Sequence, residues 1–172
     1  MPFQYPGGGS ASRVRGLGAL RLPGQFRRAW FGGVEVRRTL FSCGSDVLFI
    51  DPNRKVLVFR RTVGGVVYEA SISTDGLVPG EEVTAAVRWT SREAELVRLD
   101  EEENEEPTPR FTLDVWLNGV KGEPTVSTEG YFGDLYIGSE AGAHQLGSEM
   151  LARRVWRQVL ASDEVVAEMA AL

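Results

Sequence analysis

Residues 111–120, FTLDVWLNGV, carry an apolar side chain at every second position, Phe111, Leu113, Val115 and Leu117, and run straight into Asn118-Gly119. A period of two is that of a β-strand, and Asn-Gly tolerates the positive φ that a two-residue hairpin turn requires. The segment is therefore a half-buried strand that ends in a tight turn. Its second parity holds Thr112, Asp114 and Trp116. A tryptophan among polar neighbours makes this face the first candidate for a contact surface.

The same punctuation runs through the chain. Residues 35–42 end at Gly44, and 47–50 (VLFI) end at Asp51-Pro52-Asn53. Residues 55–59 and 66–72 flank Gly64-Gly65, a spacer that permits positive φ at both central positions of a hairpin. After the turns at Asp75-Gly76 and Pro79-Gly80, Val83, Ala85, Val87 and Trp89 alternate with Thr84, Ala86, Arg88 and Thr90. That pattern predicts a strand with Trp89 in the core. Residues 134–138 (DLYIG) and 150–160 read as two more strands. Val165, Val166 and Met169 then predict a buried helix face, with Ser162 as its cap and Asp163 and Glu164 in its first turn, where acids suit the dipole.

Two segments break the pattern. Residues 1–19, with PGGGSAS and GLGAL, carry Arg13 and Arg15 among glycines, and Arg21 follows just beyond. Such composition predicts a flexible arm. It is either a plain leader or an assembly arm whose arginines meet carboxylates on a neighbouring subunit. Residues 100–109, DEEENEEPTP, are a run of acids closed by two prolines, expected as a solvated loop rather than a central strand.

Strands in succession with one terminal helix predict an all-β, two-sheet antiparallel β-sandwich. With 172 residues and 42% hydrophobic content, the chain suffices for one domain, expected over residues 20–172. The net charge of −5 argues against nucleic acid as the main partner. Cys43 is the only cysteine, which excludes an internal disulfide and paired-cysteine metal sites. No apolar run approaches the roughly 20 residues of a membrane span, so no insertion is expected. The N-terminus shows no basic segment followed by an apolar stretch, so no signal peptide is expected and folding is expected in a reducing cytoplasm.

Catalysis finds little footing in these residues. Retaining glycosidases hold two carboxyls about 5–5.5 Å apart, and the acids of residues 100–106 lie where no apolar pocket would separate their pKa values. Cys43 beside Phe41 reads as a buried thiol, and the lone histidine, His144, has no orienting partner in sequence. No cofactor is implied. Ca²⁺ is the one ion the clustered carboxylates of residues 100–109 could take, although their spacing matches no EF-hand loop.

Four pieces line up in order with one family pattern: TLFSCGS (residues 39–45), VTAAVRWT (83–90) followed by FTLDVWLNGV, DLYIGS (134–139), and VWRQVLASDEVVAEM (155–169). They resemble the laminin-G-like, concanavalin A-like jelly roll, with its "hVAVTW", "LYVNG", "LYIGS" and "RIYNRALSAEEI" signatures. The resemblance spans residues 20–172 and implies a jelly roll with a short C-terminal helix and with its sugar and calcium sites in rim loops, where Asp51, Asn53 and Asp75 are the candidates. Departures are visible. Glu82-Val83 replaces a tryptophan-histidine pair, Arg153 replaces an apolar residue of the final strand, and Ala161 stands at the serine cap. The interval from Trp89 to Phe111 is long, which implies an inserted β-arm at about 93–110, tipped by the acidic loop.

Free-standing jelly rolls of this size resemble minor tail or capsid decoration proteins of tailed bacteriophages. The resemblance implies a non-enzymatic virion structural protein, made in the host cytoplasm, that contacts other virion proteins and possible further copies of itself. The alternative is a carbohydrate-binding module for host-surface glycan, with Trp116 and Tyr136 as stacking faces and Asp114 as a hydroxyl acceptor. Against that stands burial of the same aromatics beneath the terminal helix or the inserted arm.

Overall fold

Gly64 and Gly65 both adopt positive φ, 56° and 81°, and close a hairpin between β4 (Val56–Val63) and β5 (Val66–Ser73). Asn118 and Gly119 do the same at 50° and 80°, joining β7 (Glu105–Leu117) to β8 (Val120–Lys121). Both turns match the twist of the strands they connect, as the sequence predicts. The computed structural model of the chain describes residues 7–15, 37–78, 80–98, 105–131, 133–142, 146 and 148–172, with backbone alone for 91–98 and 105–109.

The remaining described elements are β1 (Gly7–Arg15), β2 (Arg38–Cys43), β3 (Asp46–Asp51), β6 (Glu82–Arg98), β9 (Thr125–Thr128), β10 (Leu135–Ile137), β11 (Glu149–Trp156) and the helix α1 (Ser162–Ala170). They form two antiparallel sheets. The first runs β11-β1-β6-β7-β8, with β9 also on β7; the second runs β10-β2-β3-β4-β5. The protein is thus an all-β sandwich with a short C-terminal helix, compatible with a jelly-roll fold. A bridge between Ser71 and Glu123 joins the sheets along the β5 side. The β10 and β11 edges lie on the other side.

The alternation seen in sequence decides the core. Val83, Ala85 and Val87 of β6 meet Leu113, Val115 and Leu117 of β7, and across the sandwich stand Leu40, Leu48, Leu57 and Phe59. Trp89 packs on this cluster, its ring 6.4 Å from that of Phe59. A second cluster lies outside the first sheet, where α1 lays Val165 and Met169 over Ala11, Ala86 and Trp116.

Residues 7–15 are not a flexible arm. They form β1, an inner strand paired with β6 from Gly7↔Thr90 to Arg15↔Glu82 and with β11 from Gly9↔Trp156 to Arg15↔Glu149. The glycines have a packing reason: the Trp89 ring lies against Gly8 and the Trp156 ring against Gly9, where a Cβ would collide with both indoles. Arg13 and Arg15 find carboxylates within the chain itself. Arg15 Nη2 is 2.6 Å from Glu82 Oε1, and Arg13 Nε is 3.8 Å from Oε2. Arg21 and the rest of the expected arm lie outside the described residues.

Two smaller expectations also change. Residues 105–109 are strand rather than loop: β6 and β7 continue as a two-stranded ribbon from Glu95↔Thr108 to Arg98↔Glu105, past an irregularity between Arg92 and Glu95. A ribbon edge tolerates proline because its missing N–H can face solvent. The helix cap is Ala161 rather than Ser162; its own N–H donates to Glu164 Oε2 at 2.7 Å, and Val166 points outward.

Candidate functional site

Asp114 and Trp116 leave the inter-sheet core on the predicted parity, but their face is not wet. Trp116 is 1% exposed, beneath α1 among Ala86, Trp156, Val165 and Met169. Asp114 is fully buried. Its Oδ2 accepts from Arg88 Nε at 3.0 Å and Nη2 at 2.8 Å, and Lys121 Nζ stands 2.8 Å from Oδ1. Arg88 Nη1 donates to Leu160 O at 2.7 Å, which fastens the chain entering α1 to the sheet. The Arg88 guanidinium lies 5.1 Å above the Trp116 ring, a cation–π contact that closes the layer. Asp114 is therefore a counter-ion and Trp116 is core. Neither is a glycan-contact residue.

Tyr136 lies elsewhere, on β10 in the second sheet. With Tyr131, Asp134 and Ser42 it lines a cleft of about 530 Å³ that also holds Arg37 and Arg60. The cations there are already paired, Arg37 with Glu140 and Arg60 Nε with Glu69 Oε1 at 2.7 Å. Burial opposes ionisation of Glu69, but hydrogen bonds from Arg54 and Arg60 outweigh it and hold its carboxyl below the usual range. Both Arg37 and Arg60 cover the Phe49 ring, at 4.8 and 4.7 Å. The three residues expected to share one glycan face therefore do not meet.

The calcium candidates serve turns. Asp51 Oδ1 accepts the N–H groups of Asn53 and Arg54, each at 3.1 Å, and Oδ2 takes Arg54 Nε at 2.8 Å. Asp75 has Lys55 Nζ at 3.8 Å. Among the described residues no group of three or more His, Cys, Asp or Glu side chains is placed to hold a metal. Cys43 Sγ donates to Gly133 O at 3.4 Å, and burial pushes its thiol pKa up, away from a reactive thiolate. His144 lies outside the described residues.

A feature the sequence reading missed sits at one end of the sandwich. Asp46 and Arg61 face each other across β3 and β4 in a bidentate pair, Nε to Oδ1 at 2.7 Å and Nη2 to Oδ2 at 2.8 Å, with side chains 5% and 3% exposed. Arg61 Nη1 also reaches Ser127 Oγ and Thr128 O, both at 3.3 Å. Parity could have found it. Arg61 continues the Leu57, Phe59 series and Asp46 the Ile50, Leu48 series, so both had to point inward.

Beside this pair opens a cleft of about 660 Å³ between the sheets, walled by Phe41, Trp89 and Phe111. At its mouth, Tyr131, Leu135 and Val155 are 64, 51 and 54% exposed. Ile137, on the same face of β10 as Leu135, is 54% exposed. Among the described residues no helix is long and apolar enough to cross a membrane. Compared with known proteins, the chain matches no family model and no curated protein.

Proposed function

We propose that this chain is a non-enzymatic structural component of a larger assembly, a virion tail or decoration protein as its motif order suggests, docking through the β10 side of the sandwich. The observation that supports this reading is the edge itself. Gly138 N–H donates to Leu40 O, so by antiparallel alternation Tyr136 faces β2 while the backbone groups of Leu135 and Ile137 face outward. Among the described residues no strand pairs with that outer side. Such an edge, carrying two exposed aliphatic side chains, is a template for strand addition that free-standing proteins normally blunt with charge. Charge enters the reading too: the acidic balance favours a protein neighbour over nucleic acid.

The first neighbour is a second copy. Sedimentation of the purified protein is expected to show a discrete oligomer that dissociates on dilution. Ile137→Lys should be monomeric at every concentration with an unchanged melting temperature. A wild-type protein that stays monomeric throughout would overturn the reading.

One observation favours host-surface glycan as a second reading: Tyr136 and Tyr131 flank Asp134 in an accessible cleft, which offers stacking faces beside a hydroxyl acceptor. On this reading, Tyr136→Ala loses glycan-array binding while retaining its melting temperature. An array that stays silent for the wild type sinks it.

A further inference from the structure

The guanidinium groups of Arg37, Arg60, Arg61 and Arg88 each face a carboxylate. Arg153 does not. It stands on β11 beside Ser12 of β1, and its guanidinium lies 5.0 Å over the Phe41 ring at the inter-sheet cleft. Nε and Nη1 are buried and have no hydrogen-bond partner among the described residues. Burial lowers its pKa, the sign of a cation held without compensation.

A second unpartnered group lines the same cleft. Ser10, 2% exposed, has a buried hydroxyl with no partner among the described residues. Buried donors are nearly always satisfied in folded proteins, because leaving them dry forfeits their hydration without return. Here two line one cleft, both able to donate and one of them charged. Their common complement is an anionic acceptor.

The geometry points to a binding site for a small amphipathic monocarboxylate, its head on Arg153 and its apolar body between Phe41, Trp89 and Phe111. The cleft, about 660 Å³, is within the roughly 300–1,000 Å³ range of small-molecule pockets. The apolar walls suit a hydrocarbon or aromatic body. Asp46 and Arg61 line the same space but neutralise each other, so the single guanidinium of Arg153 is matched to a single carboxylate. This inference goes beyond the assembly reading and does not rest on it: the ligand enters between the sheets, whereas the edge pairs along β10.

Trp89 lines the cleft, so tryptophan fluorescence of the full chain reads occupancy. Titration with decanoate at neutral pH is expected to give a saturable change. Decanol, which keeps the chain length and lacks the charge, should bind about ten-fold more weakly, the worth of one charge-assisted contact. Arg153→Met should weaken decanoate by a similar factor and leave decanol unchanged, with Arg153→Lys restoring part of the difference. Equal affinity of the wild type for decanoate and decanol would overturn the proposal, and that comparison needs no variant to fold. An absent saturable response would overturn it as well.

Discussion

A chain lacking residues 1–16 is expected to show no cooperative thermal transition by circular dichroism. The deletion removes β1, the strand between β6 and β11, and with it backbone pairing on both sides over most of nine residues. It uncovers Ala85 and Val87 toward one neighbour and detaches β11, the last strand before the helix. Ala11, which α1 covers, and Val14, which fills the main core, leave together. A domain of this size is stable by only about 5–15 kcal/mol, less than the loss of an interior strand. A single substitution tests the same point more gently. Gly9→Val would drive a Cβ into Val87 O and the Trp156 ring, and overpacking alone costs about 1–3 kcal/mol, more where backbone blocks relief. Retention of a sharp transition by the truncated chain would put β1 outside the cooperative unit.

The strands were legible because alternation and turn chemistry are local. Gly64-Gly65 and Asn118-Gly119 announce hairpins whatever surrounds them, and Val83, Ala85 and Val87 face inward as their spacing demands. Residues 7–15 were not, because glycine carries two opposite meanings. In a free segment it confers flexibility; in a strand it lets an indole approach the backbone. The partners that decide between them, Trp89 and Trp156, stand some 80 and 150 residues further along the chain. No local pattern can record such a contact.

The same distance explains the fate of the proposed glycan face. Parity correctly turned Trp116 away from the core, yet whether that side is wet depends on α1, whose apolar Val165 and Met169 needed some surface to cover. The sequence shows both unpaired faces without saying that they belong to each other. Arg153 was visible as a departure from the family pattern at an otherwise apolar position. Its meaning appears only when β10 and β11 frame an open cleft.

Arg61→Leu is expected to lower stability by about 3–5 kcal/mol, because it leaves Asp46 as a buried carboxylate whose bidentate partner is gone. At roughly 2–4 °C per kcal/mol for a chain of this length, melting should fall by roughly 6–20 °C. The comparison that gives this number meaning is the double variant Asp46→Leu/Arg61→Leu. Both side chains share the inner face of β3 and β4 with Leu48 and Phe59, and Arg61 lies 5.3 Å from the Phe111 ring of the other sheet. Two leucines there would extend the apolar core, and replacing a buried ion pair by apolar residues is often neutral or stabilising. The double variant should therefore recover most of the loss. Removing the exposed pair of Arg15 and Glu82 should leave the melting temperature nearly unchanged, because solvent screens it. If the double variant melts as low as the single one, the uncompensated charge is not the cause. The weight would then fall on the bonds from Arg61 to Ser127 and Thr128, which tie β9 of one sheet to β4 of the other at the end where the cleft opens.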